Sequence, residues 1–441
     1  MRNERAVTAY EILRLRLLDR IKEGKVDPEN DSDGVRSYIK REVADYQRHS
    51  QSGTGGRALA NPDEMEARLG RAILGYGILE PLLADDNVEE IFISGGDVSY
   101  LDANGRLASV EDVATEEEVF HLVNRLLQTS GREVSQRNPI VQARVLDGAA
   151  RIGVVVPPIA DELSVTLRKY TMRHEDLNDL VRFDSITPAA AALLHAAMLT
   201  RTGIVVSGIP AAGKTTMVNA LIRAVPPSHR VLGCEETREL SAPVMHGAYY
   251  QTRSNGNESS GDSEVTLRDL VRICLGMRPD LLVVGEVRGE EAFELTRAGN
   301  AGCGVLCTVH SNNAAEALQA LTATAIMAGQ NVPEKQVRSI FSNVFDLVIH
   351  CDREDVQFKT EDSGRIRRQV MEISAVPSLQ SGENEYTVEP IFTRESFGAP
   401  LRWTGAPLPE NLRKRLDNVL TRHGTSVQRI FDGSNQRGAN T

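Results

Sequence analysis

The run Gly208-Ile209-Pro210-Ala211-Ala212-Gly213-Lys214-Thr215 constrains this chain more than any other feature, because it spells G-x-x-x-x-G-K-[ST] between two apolar segments. The segment before it, GIVVSG, reads as a strand, and the segment after it, TTMVNALIRAV, as a helix. That is the setting the motif needs. Glycines let backbone N–H groups curl round phosphate oxygens at a helix N-terminus, Lys214 brings charge to the outer phosphates, and Thr215 offers a hydroxyl to Mg²⁺. The candidate nucleotide-binding set is therefore Gly208, Ile209, Pro210, Ala211, Ala212, Gly213, Lys214, Thr215 and Thr216, with a nucleoside triphosphate and Mg²⁺ as cofactors. A turn that spells the pattern by chance is the competing reading, and the flanking strand and helix weigh against it. Two residues stand out: Pro210 has no N–H to give, and Ala211 is costly if its position needs a positive φ.

Around the motif the chain alternates strand and helix. After SVTLRK (Ser164 to Lys169) come GIVVSG, the loop helix, RVLGCE, LRDLVRICLGM, LLVVGE and a helix from Glu290, a texture that predicts an α/β core with a parallel sheet and helices on both faces. Upstream, residues 4 to 22 carry one apolar stripe, a second helix is expected over 34 to 47, and Ser50 to Gly56 reads as a linker. Between them and the core, a helix from Asp63 towards Leu74, strands at Ile91 to Ser94, Val98 to Leu101 and Arg151 to Pro157, and a helix over 116 to 130 predict a small α+β domain. The expected segments are 1–60 (helical head and linker), 61–172 (α+β domain), 173–375 (P-loop core) and 376–441, where the pattern weakens, recovers one helix near Glu410 to Thr421 and ends in a frayed tail.

The 441 residues carry 50 Lys and Arg against 61 Asp and Glu, a net charge of −11, so the average surface gives no encouragement to nucleic-acid binding. The longest apolar stretch, Ala189 to Leu199, is too short to cross a bilayer and the charged N-terminus lacks a leader's apolar core, which leads us to expect a cytoplasmic chain. Five sparse cysteines argue against a disulfide framework, and Cys303 and Cys307 lack the second pair that structural zinc requires.

Hydrolysis needs acids and cations at the C-terminal ends of the parallel strands, where ligands of such sheets collect. Glu286, after LLVV, is the expected metal-side carboxylate, acting through water beside Thr215. Asp280 precedes the same strand and so falls at the opposite edge. Glu235, after RVLGC, is the expected proton acceptor, preferred over Glu236. His310 follows another apolar run, VLCTV, and Arg278 and Arg288 flank the Glu286 strand. Arg144, Arg151 and Arg168 cluster in the preceding domain as candidate phosphate contacts, in cis or from a neighbouring subunit.

The stretch from Arg272 to Asn312, with Cys234 to Leu240, resembles the secretion ATPase superfamily of type II and type IV machines. Gly75 to Gly95, Pro139 to Ala160 and Leu163 to Tyr170 make the Flp/Tad pilus assembly ATPases, the CpaF- or TadA-like branch, the nearest likeness, over nearly all of 63 to 350. The resemblance implies a RecA-like P-loop core behind a small PAS-like domain, a hexameric homo-oligomer, ATP hydrolysis with Mg²⁺, and work on inner-membrane platform proteins at the cytoplasmic face. In that pattern Lys214 and Thr215 are phosphate and metal residues, Glu235 the general base, Glu286 the Walker B acid, His310 the His-box residue, and the five arginines phosphate or subunit contacts. This chain departs from it in a P-loop poorer in glycine, in Glu236 where Asp is usual, and in lacking an earlier histidine in Ala298 to Gly304. The alternatives are a conjugation or type IV secretion ATPase moving DNA or effectors, and an ATP-binding switch or scaffold with little turnover. No Asn-Lys-x-Asp sequence supports a GTP switch.

Overall fold

Thr8 fixes where the first described helix begins: its hydroxyl accepts from the Glu11 N–H while the Glu11 carboxylate accepts from the Thr8 N–H. The computed structural model describes residues 8–23, 31–52, 57–103, 105–110, 114–170, 175–253, 264–300, 302–328, 332–354, 367–379 and 385–437. Helix α1 (Ala9–Lys22) joins α2 (Ser32–Gln51) and α3 (Pro62–Leu74) around Tyr10, Leu13, Leu17, Val35, Ile39, Val43, Leu69 and Ile73. Leu13 and Leu17 are fully buried, each contributing about 2 kcal/mol.

Next come α4 (Glu80–Ala84), β1 (Val88–Ser94), β2 (Asp97–Asp102), β3 (Leu107–Ser109), α5 (Glu116–Gln128), β4 (Ile140–Val145), β5 (Ala150–Val155) and β6 (Ser164–Lys169). The six strands form one antiparallel sheet in the order β3-β2-β1-β6-β5-β4. Val119, Leu122, Val123 and Leu126 of α5 pack with Ile91, Ile93, Ile152, Val165 and Leu167 from its alternating apolar positions. Tyr10 donates its hydroxyl hydrogen to Glu118 of α5, and Arg14 Nε lies 3.6 Å from the same buried carboxylate. The helical head is thereby tied to the sheet domain, and Met1–Thr171 is one compact unit where the sequence texture suggested two segments. Of the expected linker, Ser50 and Gln51 belong to α2, and 53–56 fall outside the described residues.

The second unit, Met172–Thr441, runs α6 (Leu177–Arg182), α7 (Pro188–Met198), β7 (Ile204–Gly208), α8 (Lys214–Arg223), β8 (Arg230–Glu235), β9 (His246–Gln251), α9 (Leu267–Gly276), β10 (Leu281–Val284), α10 (Glu291–Asn300), β11 (Gly304–Val309), α11 (Ala314–Met327), α12 (Glu334–Val344), β12 (Leu347–Arg353), β13 (Arg368–Ala375), β14 (Glu389–Thr393), β15 (Arg402–Trp403), α13 (Glu410–Leu420) and α14 (Val427–Arg437). Its sheet has the order β15-β14-β13-β12-β7-β11-β10-β8-β9. All pairings from β12 to β9 are parallel, and β13, β14 and β15 continue antiparallel. Alternate residues of β7 serve two cores: Ile204 and Val206 face α7, α8, α13 and α14, whereas Val205 faces α9 to α12. This is the expected α/β, RecA-like P-loop core with helices on both faces.

The segment after 375 contains the expected helix as α13 and is packed more fully than its weak pattern suggested. Ile391 and Phe392 of β14, Leu412, Leu416 and Leu420 of α13, and Val427 and Phe431 of α14 are buried in the same core as the P-loop helix. The Arg394 guanidinium, itself buried, donates to the carbonyls of Asp184, Ser185 and Val370 and stitches this segment to the start of the unit. Six residues of the expected tail, 432–437, continue α14. Among the described residues no helix is long and apolar enough to cross a membrane.

Candidate functional site

Strand β7 ends in Gly208, whose φ of 147° leads the chain into the loop; a Cβ there would come within 2.0 Å of the Cys351 carbonyl on β12. The Ala212 N–H then donates to the Ile209 carbonyl at 3.3 Å, closing a turn with Pro210 second and Ala211 third. Ala211 has φ 60°, so the turn follows the type II pattern, in which proline suits the second place and glycine the third. The missing Pro210 N–H is therefore lost at a corner whose geometry favours proline, and the strain sits on Ala211. Ala211→Gly is expected to raise stability by about 1 kcal/mol, read as a higher denaturation midpoint. Gly213, at φ 92°, starts α8 with no side-chain cap, the kind of helix start that suits an anion.

Lys214 is buried at this helix start, its Nζ within 2.9 Å of the Gly208 carbonyl, 3.0 Å of the Ile209 carbonyl and 3.2 Å of His310 Nδ1. His310 Nδ1 also lies 3.3 Å from the Gly208 carbonyl, and its Nε2 lies 2.6 Å from Glu286 Oε1. Arg288 Nη2 donates to Glu286 Oε2 at 2.6 Å, and its other branch lies 3.9 Å from Glu236. Lys214, His310, Glu286 and Arg288 thus lie in one line of close contacts across the ends of β7, β11 and β10, with Arg288 hydrogen-bonded to Glu286.

Thr215 donates its hydroxyl hydrogen to Glu239 Oε2 at 3.1 Å, a carboxylate the sequence reading passed over. Glu239 sits on a loop pinned at both ends. Glu235 Oε1 accepts from the N–H groups of Glu239 and Leu240 at 3.0 and 3.1 Å, and Asn219 of α8 accepts from Ser241 and Ala242 at 3.1 and 3.2 Å. Glu235 itself is buried against Gly285, and burial pushes its carboxyl up to about 7. That value suits a general base, but its carboxylate is already taken up in closing the loop; geometry comes first.

The arginines divide. Arg288 is at the site, whereas Arg278 precedes β10 and lies exposed at the opposite edge with Asp280, a strand length of about 13 Å away. The edge argument that removes Asp280 removes Arg278 as well, against the expectation that it serves this site within one chain. Asp280 pairs there with Arg201 and accepts from the Arg230 N–H. In the other unit Arg144, Arg151 and Arg168 are directly opposite one another on β4, β5 and β6, one row on the face away from α5. Arg168 lies 3.7 Å from Glu90, Arg151 donates to Gln142, and Arg144 donates to the Gly148 carbonyl. All five cysteines are buried, and no group of metal-ligating side chains occurs among the described residues.

The sequence model of the type II/IV secretion system protein family matches residues 74–379, well over half the chain. The chain belongs to this family. A Mycobacterium tuberculosis protein whose name assigns it provisionally to conjugal transfer is 34% identical over 290 residues, covering 64% of this chain and 81% of its own. The type IV secretion system protein PtlH of Bordetella pertussis is 28% identical over 304 residues, with 62% and 88% covered. Among solved structures, the Legionella pneumophila ATPase DotB aligns with a TM-score of 0.47 at 20% identity, covering 68% of this chain and 79% of its own.

In this secretion-family chain the residues fit Mg²⁺ and a triphosphate: an uncapped helix start, a buried lysine on two carbonyls, and a Thr215 hydroxyl with a carboxylate beside it. Glu235 gives this family member a testable stability signature. Its folded-state carboxyl, near 7, holds a proton more tightly than the unfolded one at 4.5, so stability falls as pH rises through that window. Glu235→Gln removes the titration and keeps the Oε1 acceptor, so the variant is expected to gain on wild type from pH 4.5 to 7, by an order of 3 kcal/mol. Denaturation midpoints of both chains from pH 5 to 8 check this; parallel curves would refute it.

Proposed function

We propose that the chain is an ATP-hydrolysing motor that works as a ring of six copies on inner-membrane platform proteins, powering Flp/Tad pilus assembly or type II/IV-like secretion. The observation that carries the reading is the convergence of Lys214, Thr215, Glu239, Glu286 and His310 on one sheet edge around an uncapped helix start. Bound Mg²⁺ would be held by Thr215 directly and by Glu286 through water, and would supply charge neutralisation at the phosphates. Lys214 exchanges the Gly208 and Ile209 carbonyls for phosphate oxygens. Glu239, beside Thr215 and free of the amide bonds that occupy Glu235, accepts the proton of the attacking water. His310 links the Lys214 and Glu286 ends of the site, so a change at the phosphates is felt at β10 and β11. Arg144, Arg151 and Arg168 of the first unit remain candidate phosphate contacts of the assembled ring.

A conjugation-type or type IV secretion ATPase, moving DNA or effectors, is the second reading, favoured by the names of the M. tuberculosis and B. pertussis relatives. The net charge of −11 favours protein partners over direct contact with nucleic acid, and in either reading the chain works at the cytoplasmic face of the membrane through its platform. Phosphate release per chain over a wide range of protein concentration tests the ring: cooperative growth is expected, and a constant rate in a sedimentation-verified monomer would refute it.

A further inference from the structure

Ser207, the last side chain before the phosphate loop, is fully buried, and its hydroxyl lies 3.0 Å from Nδ1 of His350 on β12. His350 is only 6% exposed. The two residues are direct partners in the parallel β7–β12 register, and the next pair is Gly208 with Cys351, where the strands touch too closely for any Cβ. The pairing of β12 with β13 slips between His350 and Cys351, the kind of irregularity that re-aims a side chain. Burial pushes the imidazole below its ordinary value, with Asp352, Glu372 and Glu316 opposing, so the ring is neutral near pH 7 and offers one acceptor and one donor. A polar pair in a mainly apolar sheet interior is costly unless each member satisfies the other.

We propose that His350 is a positioning residue for the phosphate loop: by holding the Ser207 hydroxyl it fixes where β7 turns into the loop, and with it the Gly208 carbonyl. This rests on the reading of Gly208 to Thr215 as an ATP-phosphate cradle. The Gly208 carbonyl accepts from Lys214 and lies 3.3 Å from His310 Nδ1, so a shift there reaches both. His350 acts through Ser207 and makes no contact with the phosphates.

The experiment measures KM and kcat for Mg·ATP, and equilibrium ATP binding, with the full chain carrying Ser207→Ala, His350→Ala, His350→Asn and the double alanine change. His350→Ala and Ser207→Ala are each expected to raise KM about 10-fold with kcat changed less than about threefold. His350→Asn, whose Oδ1 replaces Nδ1 as acceptor, is expected to stay within about twofold of wild type, and the double variant to be no worse than either single one. Should His350→Ala fail to fold, Ser207→Ala and His350→Asn carry the test through the same KM comparison. Wild-type KM in Ser207→Ala, or additive losses in the double variant, would overturn the inference alone. Absence of ATP binding by the wild-type chain would overturn the cradle reading, and the inference with it.

Discussion

Lys214→Ala is expected to weaken ATP binding about 100-fold or more, a loss larger than any other single change outside the core should produce. The lysine is the one buried cation at the start of α8, and its Nζ already sits where three acceptors converge, so no neighbouring side chain can take its place. Arg288, also at this edge, is committed to Glu286. The variant also takes the lysine donor from the Gly208 carbonyl and His310 Nδ1, while the Ile209 carbonyl keeps the Ala212 N–H, which costs of the order of 1 kcal/mol of stability. Equilibrium binding of a fluorescent ATP analogue, with thermal unfolding as the control for folding, measures both. Binding within threefold of wild type in a folded variant would remove Gly208 to Thr215 from the nucleotide site.

The second large effect separates two glutamates four residues apart. Glu239→Gln is expected to lower kcat by about 100-fold or more while leaving ATP binding within a few-fold, because an amide cannot take the proton of an attacking water. Glu235→Gln is expected to keep kcat within several-fold, because its carboxylate accepts loop N–H groups and an amide oxygen can do the same. Steady-state kinetics of the two variants side by side decide the matter. A collapse in Glu235→Gln with Glu239→Gln nearly normal would return the base to the strand end.

That contrast shows where sequence reasoning stops. An acid after an apolar run was legible as a residue at the right sheet edge, and Glu235, Glu286 and His310 are all at that edge. Which way each side chain turns there was not legible. Glu235 folds inward because its loop returns over β8 and needs an acceptor for its amides, and that return brings Glu239 to Thr215. Asn219, on the polar side of α8, gave no hint that it would anchor the far end of the same loop. Arg278 lies away from this edge within one chain for a reason available beforehand, since it precedes β10 just as Asp280 does.

The fold shows the same division. Strands β7, β8, β10 and β11 were legible because parallel strands buried on both faces read as unbroken apolar runs. Strands β14 and β15 are short and lie past Ala375, so they passed as the weakening end of the chain. Their burial depends on β12 pairing with β7 more than 140 residues away in sequence, a contact no local pattern carries. The tie of Tyr10 to Glu118 was hidden likewise, because each residue sits unremarkably on its own helix and acquires meaning only across the head and sheet domain.

The central claim is that the Lys214 loop and Glu286 form one Mg²⁺-dependent hydrolytic site. Single-turnover release of the γ-phosphate, measured with ATP binding in the same samples of wild type and Glu286→Gln, tests it most directly. The expected result is Mg²⁺-dependent release by wild type, with binding retained in Glu286→Gln and release slowed about 100-fold or more. Equal release by the two chains would contradict the account.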